Sequence, residues 1–371
     1  MRPLHSPRRH TRAQATRGEV NLALTALFAV LVLLVTLAMT TSTDSSHVVE
    51  VGEQLPLQAA PYNGDVHEII VPSATITVRV GQPVEEVDTA LVDLEDLADA
   101  ERARGSDDPV RANDGAALVP VSWSVRPATS GSSAEIQAVP FTVRLVAGER
   151  SVDLADGSLQ SLRSAERETS PPMSLIGVDE AASLSIEVEY DGATQTLDVA
   201  TGELDTGLAE GLYSPEPAID TGCADRTVRC HMSTVDPDST WQVDRSDATI
   251  TARRLTIHPY DPELGWAAEG QRWATTGVHT ASVSGVEKGT GYRSVDRAGP
   301  VKVTLDGAEP ERSTGLDDDR LVGTRVGSVV FAIDADTAPR ELAVEQDLTL
   351  EGTQSPRTLP VHISIPLDGE E

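Results

Sequence analysis

The sequence predicts an all-β protein of two sandwich domains that follow one N-terminal transmembrane α-helix. Three observations support this fold class. A long uncharged run lies near the N-terminus, and apolar residues alternate with polar ones in many short segments after it. The chain of 371 residues is also longer than one hydrophobic core usually fills, which favours two domains.

The uncharged run extends from Leu22 to Met39, and Thr25 and Thr36 are its only polar residues. A helix of about 20 residues spans the roughly 30 Å hydrocarbon core of a bilayer. We therefore predict a transmembrane helix over residues 21–41. A cleaved secretory signal is the alternative, because Thr36-Leu37-Ala38 is an acceptable cleavage site, although such signals have an apolar core of only about 7 to 15 residues.

Charge around the run predicts its orientation. The tail over residues 1–20 has Glu19 as its only acid, and no Lys or Arg follows the run before Arg79. Because basic residues are retained in the cytoplasm, we expect a single-pass protein of the cell membrane with a cytoplasmic N-terminus and an extracytoplasmic body. The arginines of the tail are Arg2, Arg8, Arg9, Arg12 and Arg17.

The strongly acidic composition limits the classes of partner. The net charge of the whole chain is −30 at pH 7, and removing the basic tail makes the body more negative still. Such a field disfavours nucleic acid and favours basic protein surfaces and divalent ions. We expect a protein partner in the cell envelope, no nucleic acid, and membrane contact through Leu22 to Met39.

A stalk and a first β-sandwich domain follow the membrane helix. Residues 42–64 are small and polar with little periodicity, which is typical of a stalk. Period-two alternation then predicts a sandwich over residues 65–213, and its clearest strand ends at Tyr190, before an Asp191-Gly192 hairpin turn. Apolar residues at three- and four-residue spacing also predict one inserted helix near residues 83–104.

The next stretch predicts a linker closed by a disulfide. Apolar alternation lapses over residues 214–240, where Cys223 and Cys230 are the only cysteines of the chain. In an oxidising compartment such a pair forms a local disulfide. The enclosed loop is short, so the entropy model gives about 2 to 3 kcal/mol of stabilisation. We therefore expect this disulfide to fix a linker or loop without holding a domain together.

A second β-sandwich domain is predicted over residues 241–371. Six or seven short strands are separated there by Gly, Pro and Asp turns. The alternation changes parity between Ala252 and Leu255, which indicates a β-bulge near Arg253-Arg254.

Two segments of this domain carry a family resemblance. They are Ala248–Val283, which contains Gly270-Gln271-Arg272-Trp273, and Gly327–Val344, which contains Val329-Val330-Phe331-Ala332-Ile333. They resemble an immunoglobulin-like extracytoplasmic domain of unknown function, found in Gram-positive lipoproteins and membrane-anchored proteins. Gly115–Val125 and Val139–Leu154 resemble a weaker copy. The resemblance implies two immunoglobulin-like sandwiches and supplies no catalytic or cofactor-binding residues.

The chain offers few candidates for chemistry. It contains no G-x-S-x-G elbow, S-x-x-K pair or glycine-rich phosphate loop. Acidic loops could supply oxygen ligands to calcium, although their spacing is not that of a calcium-binding loop. We therefore expect no resident cofactor and keep calcium as an alternative. The candidate ligands are Asp236, Asp238, Asp317, Asp318 and Asp319.

Together these features favour a non-enzymatic binding or scaffold module of a cell-envelope complex. Two alternatives stay open. One is an envelope-facing hydrolase or glycan-modifying enzyme that uses loop carboxylates, and the other is a calcium-dependent binding module.

Overall fold

The structure is a computed structural model that describes part of the chain. The described residues are 47–58, 64–93, 109–128, 138–158, 173–215, 218–223, 230–235, 241–242, 248–282, 284–287, 291–317, 320–321, 324–351 and 356–367. The basic tail and the predicted membrane helix over residues 21–41 lie outside these ranges. Within them, no helix is both long and apolar enough to span a membrane.

Most of the described chain is β-strand, which confirms the all-β prediction. The helical elements that lie wholly within the described ranges are two 3₁₀ turns, Thr89–Leu91 and Gly207–Ala209, and one short helix, α1 (Glu210–Tyr213). We call residues 47–215 the N-terminal half and residues 218–367 the C-terminal half. The strands of the N-terminal half are β1 (Val48–Val49), β2 (Gln54–Pro56), β3 (Gly64–Val71), β4 (Ala74–Gly81), β5 (Glu86–Val87), β6 (Val110–Ala112), β7 (Ala116–Pro127), β8 (Pro140–Ala147), β9 (Arg150–Ser158), β10 (Met173–Asp179), β11 (Leu184–Tyr190), β12 (Ala193–Asp198) and β13 (Leu204–Asp205).

The strands of the C-terminal half are β14 (Cys230–His231), β15 (Ser233–Thr234), β16 (Trp241–Gln242), β17 (Ala248–Ala252), β18 (Thr256–His258), β19 (Tyr260–Asp261), β20 (Gly265–Trp266), β21 (Gln271–Ser282), β22 (Ser284–Glu287), β23 (Gly291–Leu305), β24 (Arg312–Thr314), β25 (Arg320–Leu321), β26 (Thr324–Asp334), β27 (Glu341–Glu351) and β28 (Arg357–Pro366).

Each described sheet takes all its strands from one half. The N-terminal half has sheets in the orders β1-β6-β5, β2-β10-β7-β4-β3 and β13-β12-β11-β8-β9. The C-terminal half has β14-β17-β21-β26-β24 with β18 also on β21, and β15-β28-β27-β23-β22-β16 with β25 also on β23. The two strands β19 and β20 form a separate hairpin.

Both halves use the same order of six strands. In the N-terminal half β4, β7 and β10 are neighbours in one sheet, and β8, β11 and β12 are neighbours in the other. In the C-terminal half β17, β21 and β26 are neighbours in the same order in one sheet, and β23, β27 and β28 are neighbours in the same order in the other. All of these pairings are antiparallel. The two halves are therefore topological repeats.

Each half also has its own main core. In the N-terminal half, side chains such as Ile76 and Val119 of one large sheet share a cluster with Val143 and Ile186 of the other. In the C-terminal half a second cluster unites both large sheets in the same way. Because successive strand residues face opposite sides, Leu118 packs on the reverse face in a third, smaller cluster. Alternating valine and isoleucine thus provide the buried surface in a chain with few aromatic residues.

Two local predictions are confirmed. Asp191 and Gly192 have φ of 47° and 77° and join Tyr190 to its partner Ala193, so they form the two-residue hairpin turn. Ala252 of β17 pairs with Val278 of β21, and Thr256 of β18 pairs with Thr275 of the same strand. The chain advances four residues from Ala252 to Thr256 while β21 advances only three, so one extra residue is accommodated at the predicted bulge.

The predicted helix near residues 83–104 does not form over its first part. Val84 exchanges backbone hydrogen bonds with Leu118 of β7, and Val87 pairs with Val110 of β6. Strand pairing with neighbours distant in sequence thus satisfies the backbone groups that a helix would have used. The β-branched valines also have a low helix propensity. Residues 94–104 lie outside the described ranges.

The predicted stalk and linker are partly folded into the two halves. Within the stalk prediction of residues 42–64, β1 pairs with β6 and β2 pairs with β10. Val49 and Leu55 are buried, because the short alternation that includes them packs on the N-terminal half. Within the linker prediction of residues 214–240, β14 pairs with β17 and β15 pairs with β28. The stretch after Ser214 therefore contributes strands to the C-terminal half.

Candidate functional site

A groove of about 410 Å³ lies beside the disulfide of the C-terminal half. One wall is the segment around Cys223 and Cys230, and the other is the end of β28. The lining combines apolar side chains with a few polar groups, which is typical of binding sites. The lining residues are Asp220, Thr221, Gly222, Cys223, Cys230, Ile363, Ser364, Ile365 and Pro366.

Cys223 and Cys230 form the predicted disulfide, with their Cα atoms 5.6 Å apart. Both lie along the edge of β17: Cys230 is opposite Ile250, and the Cys223 carbonyl accepts a hydrogen bond from the Ala252 amide. Two residues along a strand are roughly 6.7 Å apart, so the common edge places the cysteines at disulfide distance. Cys223 is 2% exposed and belongs to the core cluster of this half. The disulfide therefore secures the edge of a domain, which is more than the predicted role of fixing a linker or loop.

The segment before Cys223 is held to the same edge by hydrogen bonds. Ile219 and Leu255 exchange both of their backbone bonds at 2.9 Å. The buried Thr221 hydroxyl donates to the Ala252 carbonyl at 2.6 Å. Asp220 accepts from the Gly222 amide at 2.9 Å, and its largely exposed carboxylate lies 3.9 Å from the similarly exposed Arg254 guanidinium. This wall of the groove is thus fixed by backbone bonding and presents one carboxylate at its mouth.

The other wall is an incompletely paired strand edge. On the outer side of β28, the strand β15 pairs only with Val361 and His362. Residues 363–366 of β28 have no outer partner strand in the described part of the chain. The Pro360 carbonyl accepts from the Val235 amide on that side. Because bonding direction alternates along an antiparallel strand, the backbone of Ser364 faces outward like that of Pro360. The outward backbone groups of this edge therefore face the groove.

The chemistry of the groove favours binding. Among its described lining residues, Asp220 is the only titratable side chain, since the two cysteines are joined to each other. Hydrolysis of a glycosidic bond by the usual route requires a pair of carboxyl groups. The groove instead offers apolar side chains, backbone donors and acceptors, and one carboxylate. These groups suit recognition of an extended peptide.

The candidate calcium ligands are only partly described. Asp236, Asp238, Asp318 and Asp319 lie outside the described residues, and Asp317 lies in an exposed bend. Among the residues that the structure does describe, no group of three or more His, Cys, Asp or Glu could hold a metal ion. Calcium binding at these acids stays a prediction.

Two buried polar side chains in the C-terminal core were not anticipated from the sequence. The register of β23 on β27 shifts between Ala298 and Val301, which interrupts the ladder. Arg325 donates to the Ala298 carbonyl, and Gln346 donates to the Gly299 carbonyl at 2.9 Å. Both side chains are at least 96% buried. They satisfy carbonyl groups that the bulge removes from strand pairing, so their role is structural.

The tryptophans of this half also pack as structural residues. Trp241 is 5% exposed, and the Arg293 guanidinium lies 4.4 Å from its ring centroid. Trp273 is 9% exposed and donates to the Gly265 carbonyl at 2.9 Å. Neither ring is an open platform for a sugar or a base.

No protein-family model matches this chain, and no curated protein matches it. A function for the chain is therefore argued from its sequence and its geometry.

Proposed function

We propose that this chain is a single-pass, membrane-anchored extracytoplasmic protein whose two immunoglobulin-like sandwiches act as a non-enzymatic binding or scaffold module of a cell-envelope complex. The groove beside the Cys223–Cys230 disulfide is its binding surface in this proposal. The ligand is an extended, basic segment of a partner protein that adds as a strand to β28.

The observation that carries the proposal is the repeated strand order. Immunoglobulin domains place strands A, B and E in one sheet and strands G, F and C in the other. The six strands shared by the two halves have this arrangement. In one sheet β4 and β17 correspond to strand A, β7 and β21 to B, and β10 and β26 to E. In the other sheet β8 and β23 correspond to strand C, β11 and β27 to F, and β12 and β28 to G. In addition, β24 adjoins β26 at the place of strand D. Many cell-surface domains share this sandwich architecture.

The segments that resemble the immunoglobulin-like family also support the assignment of the strands to immunoglobulin places. Trp273 of β21 pairs with Ala332 of β26, and the two strands remain paired from Gln271 to Ala281. The two segments that carry the resemblance are therefore neighbours at places B and E. In the N-terminal half, Gly115–Val125 covers most of β7 at place B. Val139–Leu154 falls on β8 and β9, whereas β10 holds place E there.

Charge supports the basic partner. The chain carries a net charge of −30. At the groove, the Asp220 carboxylate is exposed and forms a long surface ion pair of 3.9 Å with Arg254, which a basic ligand can replace because exposed pairs are weak. A strongly acidic body attracts basic surfaces over long range and accelerates their encounter. Backbone pairing along an edge strand would then supply affinity, and the side-chain pockets would supply specificity.

Cross-linking in intact cells tests this proposal. We expect the wild-type protein to give reproducible cross-links between residues near β28 and one envelope protein, identified by mass spectrometry. Ser364→Pro removes one outward amide while leaving the pairing with β27, and it should abolish these cross-links because proline blocks strand addition. Ser364→Ala retains the amide and is the matched control.

Two results would overturn the proposal. One is an unchanged set of cross-links in a folded Ser364→Pro variant, since strand addition at this edge would then be excluded. The other is turnover of cell-wall fragments by the purified protein that is lost when Asp317, Asp318 and Asp319 are replaced by asparagine. That second result would establish the hydrolase alternative instead.

A further inference from the structure

One hairpin of the C-terminal half lies inside the core of the other half. The hairpin consists of β19 and β20, and a hydrogen bond from the Ala267 amide to the Pro259 carbonyl at 2.8 Å closes its base. Tyr260 is 5% exposed and belongs to the core cluster of the N-terminal half, and the partly buried Trp266 packs against the same cluster. These are the residues of the C-terminal half that enter the described core of the N-terminal half.

The contacts at this junction are specific. The rings of Tyr260 and Trp266 meet Tyr190 edge to face, with centroid separations of 5.4 and 6.2 Å. The Trp266 indole donates to the Tyr190 carbonyl at 2.9 Å, and the Tyr260 hydroxyl donates to Asp191 at 3.0 Å. Such edge-to-face aromatic pairs contribute beyond the area that they bury. The first half thus offers a defined receptor, made by the end of β11 and its hairpin turn.

The hairpin is also fixed to its own half. Asp261 is buried, and its carboxylate accepts from the Arg312 guanidinium of β24 at 2.7 Å. Its other oxygen accepts from the Glu263 and Leu264 amides at 3.0 and 3.1 Å. The reverse side of the hairpin rests on Trp273, which donates to the Gly265 carbonyl. The hairpin is therefore bound on both sides, to β21 and β24 of one half and to β11 of the other.

A further contact closes the same junction. The residues after β13 form α1, where Gly211 lies close to Pro259 and to the Arg272 side chain of the C-terminal half. The Tyr213 hydroxyl accepts from the Ile70 amide at 2.8 Å and donates to Gln195 at 2.6 Å. The chain that leaves the N-terminal half is thus secured to that half before it crosses.

We infer that the hairpin of β19 and β20 is a latch that couples the two halves into one cooperative unit with a fixed relative orientation. Tandem domains with small, polar contacts usually move independently. Here an aromatic side chain of one half completes the hydrophobic core of the other. Loss of either half therefore removes part of the buried surface of its neighbour. A rigid pair of domains presents β28 at a defined angle to the N-terminal half.

Calorimetry of the full-length protein tests the latch. We expect the wild type to unfold in a single transition whose calorimetric and van't Hoff enthalpies agree, which is the signature of one cooperative unit. Trp266→Ala should divide that transition in two. Trp241→Ala is the matched control, because Trp241 is a buried indole of the same half that packs with Arg293. This control should lower the single transition without dividing it.

Two less disruptive variants test the latch if Trp266→Ala does not fold. Asp191→Gly removes the acceptor of the Tyr260 hydroxyl, while glycine readily adopts the positive φ of this turn position. Asp191→Asn keeps an oxygen at the same place and also tolerates that φ. We expect Asp191→Gly to broaden or divide the transition and Asp191→Asn to preserve it. Two separate transitions in the wild type, or a single transition in both Trp266→Ala and Asp191→Gly, would overturn the latch.

Discussion

Asp261 is a buried acid whose acceptor positions are filled by identified donors. One oxygen accepts from two backbone amides of its own turn, and the other accepts from Arg312. In the sequence, Asp261 precedes a proline and resembles an ordinary turn residue. Its cationic partner is 51 positions away, and the two meet only because β24 pairs with β26 at the edge of the sheet beside the hairpin of β19 and β20. The ion pair between Asp261 and Arg312 could therefore not be predicted from the sequence pattern.

Replacing Asp261 by asparagine should destabilise the protein by about 3 kcal/mol. Removal of one member of a buried ion pair typically costs about 3 to 5 kcal/mol, because the remaining charge is left uncompensated. The Arg312 side chain is 18% exposed and also pairs with the exposed Glu263, so it keeps part of its counter-charge, which favours the lower end of this range. Urea unfolding monitored by tryptophan fluorescence measures the change.

Glu68→Gln is the control for that variant, because Glu68 pairs with Arg126 at an exposed site. It should change the unfolding free energy by no more than about 0.5 kcal/mol. An Asp261→Asn variant as stable as this control would show that the buried pair does not contribute to stability.

His258 should make stability depend on pH. Burial lowers the pKa of His258, and the nearby Arg312 lowers it further, while the Tyr260 carbonyl and Asp261 act in the opposite direction. The ring contacts the Tyr260 carbonyl and the Thr275 hydroxyl, both at 2.7 Å. The unfolded chain binds a proton at a pKa of about 6.5, so the unfolded state takes up protons that the folded ring excludes. Stability should therefore be fully present above about pH 6.5 and fall as the pH is lowered through the interval between the two pKa values.

The measurement is urea unfolding of the wild type and of His258→Gln at pH 7.5, 6.5 and 5.5. Glutamine does not titrate, so the variant should lose less stability than the wild type over this interval. Equal losses in the two proteins would show that another group causes the pH dependence.

At the level of elements, local turn chemistry was predictable and tertiary pairing was not. The Asp191-Gly192 turn follows from residues that tolerate positive φ between two alternating runs. The region from Pro83 to Asp93 failed as a helix because Val84 and Val87 pair with strands that follow later in the chain. Helical spacing of a few apolar residues cannot reveal such distant partners.

Reduction of the disulfide should destabilise the C-terminal half. Opening the cross-link between Cys223 and Cys230 restores conformational freedom to the unfolded chain and should cost about 2 to 3 kcal/mol on the entropy model. Urea unfolding with and without dithiothreitol measures this shift. A Cys223→Ala/Cys230→Ala variant should be insensitive to the reductant. Equal midpoints for the oxidised and reduced wild type would contradict this prediction.

At the level of the whole molecule, length and alternation predicted a β-rich chain, but they could not predict the groove. Its walls come from residues 220–223 and from residues 363–366, which are remote in sequence and meet only through β17, β14 and the opposite sheet. The insertion of Tyr260 into the other core was equally unpredictable, because an aromatic residue near a turn has no signature of the core that it enters. The repeated strand order became visible only from the sheet topology.

We propose that a pair of like domains is held outside the membrane by the segment Leu22 to Met39. A dual reporter fused after Glu371, with alkaline phosphatase in one fusion and green fluorescent protein in another, tests it most directly. The proposal predicts an active phosphatase, a dark fluorescent protein and an uncleaved N-terminus in the membrane fraction. A fluorescent, phosphatase-negative fusion, or a mature N-terminus near Met39, would contradict it.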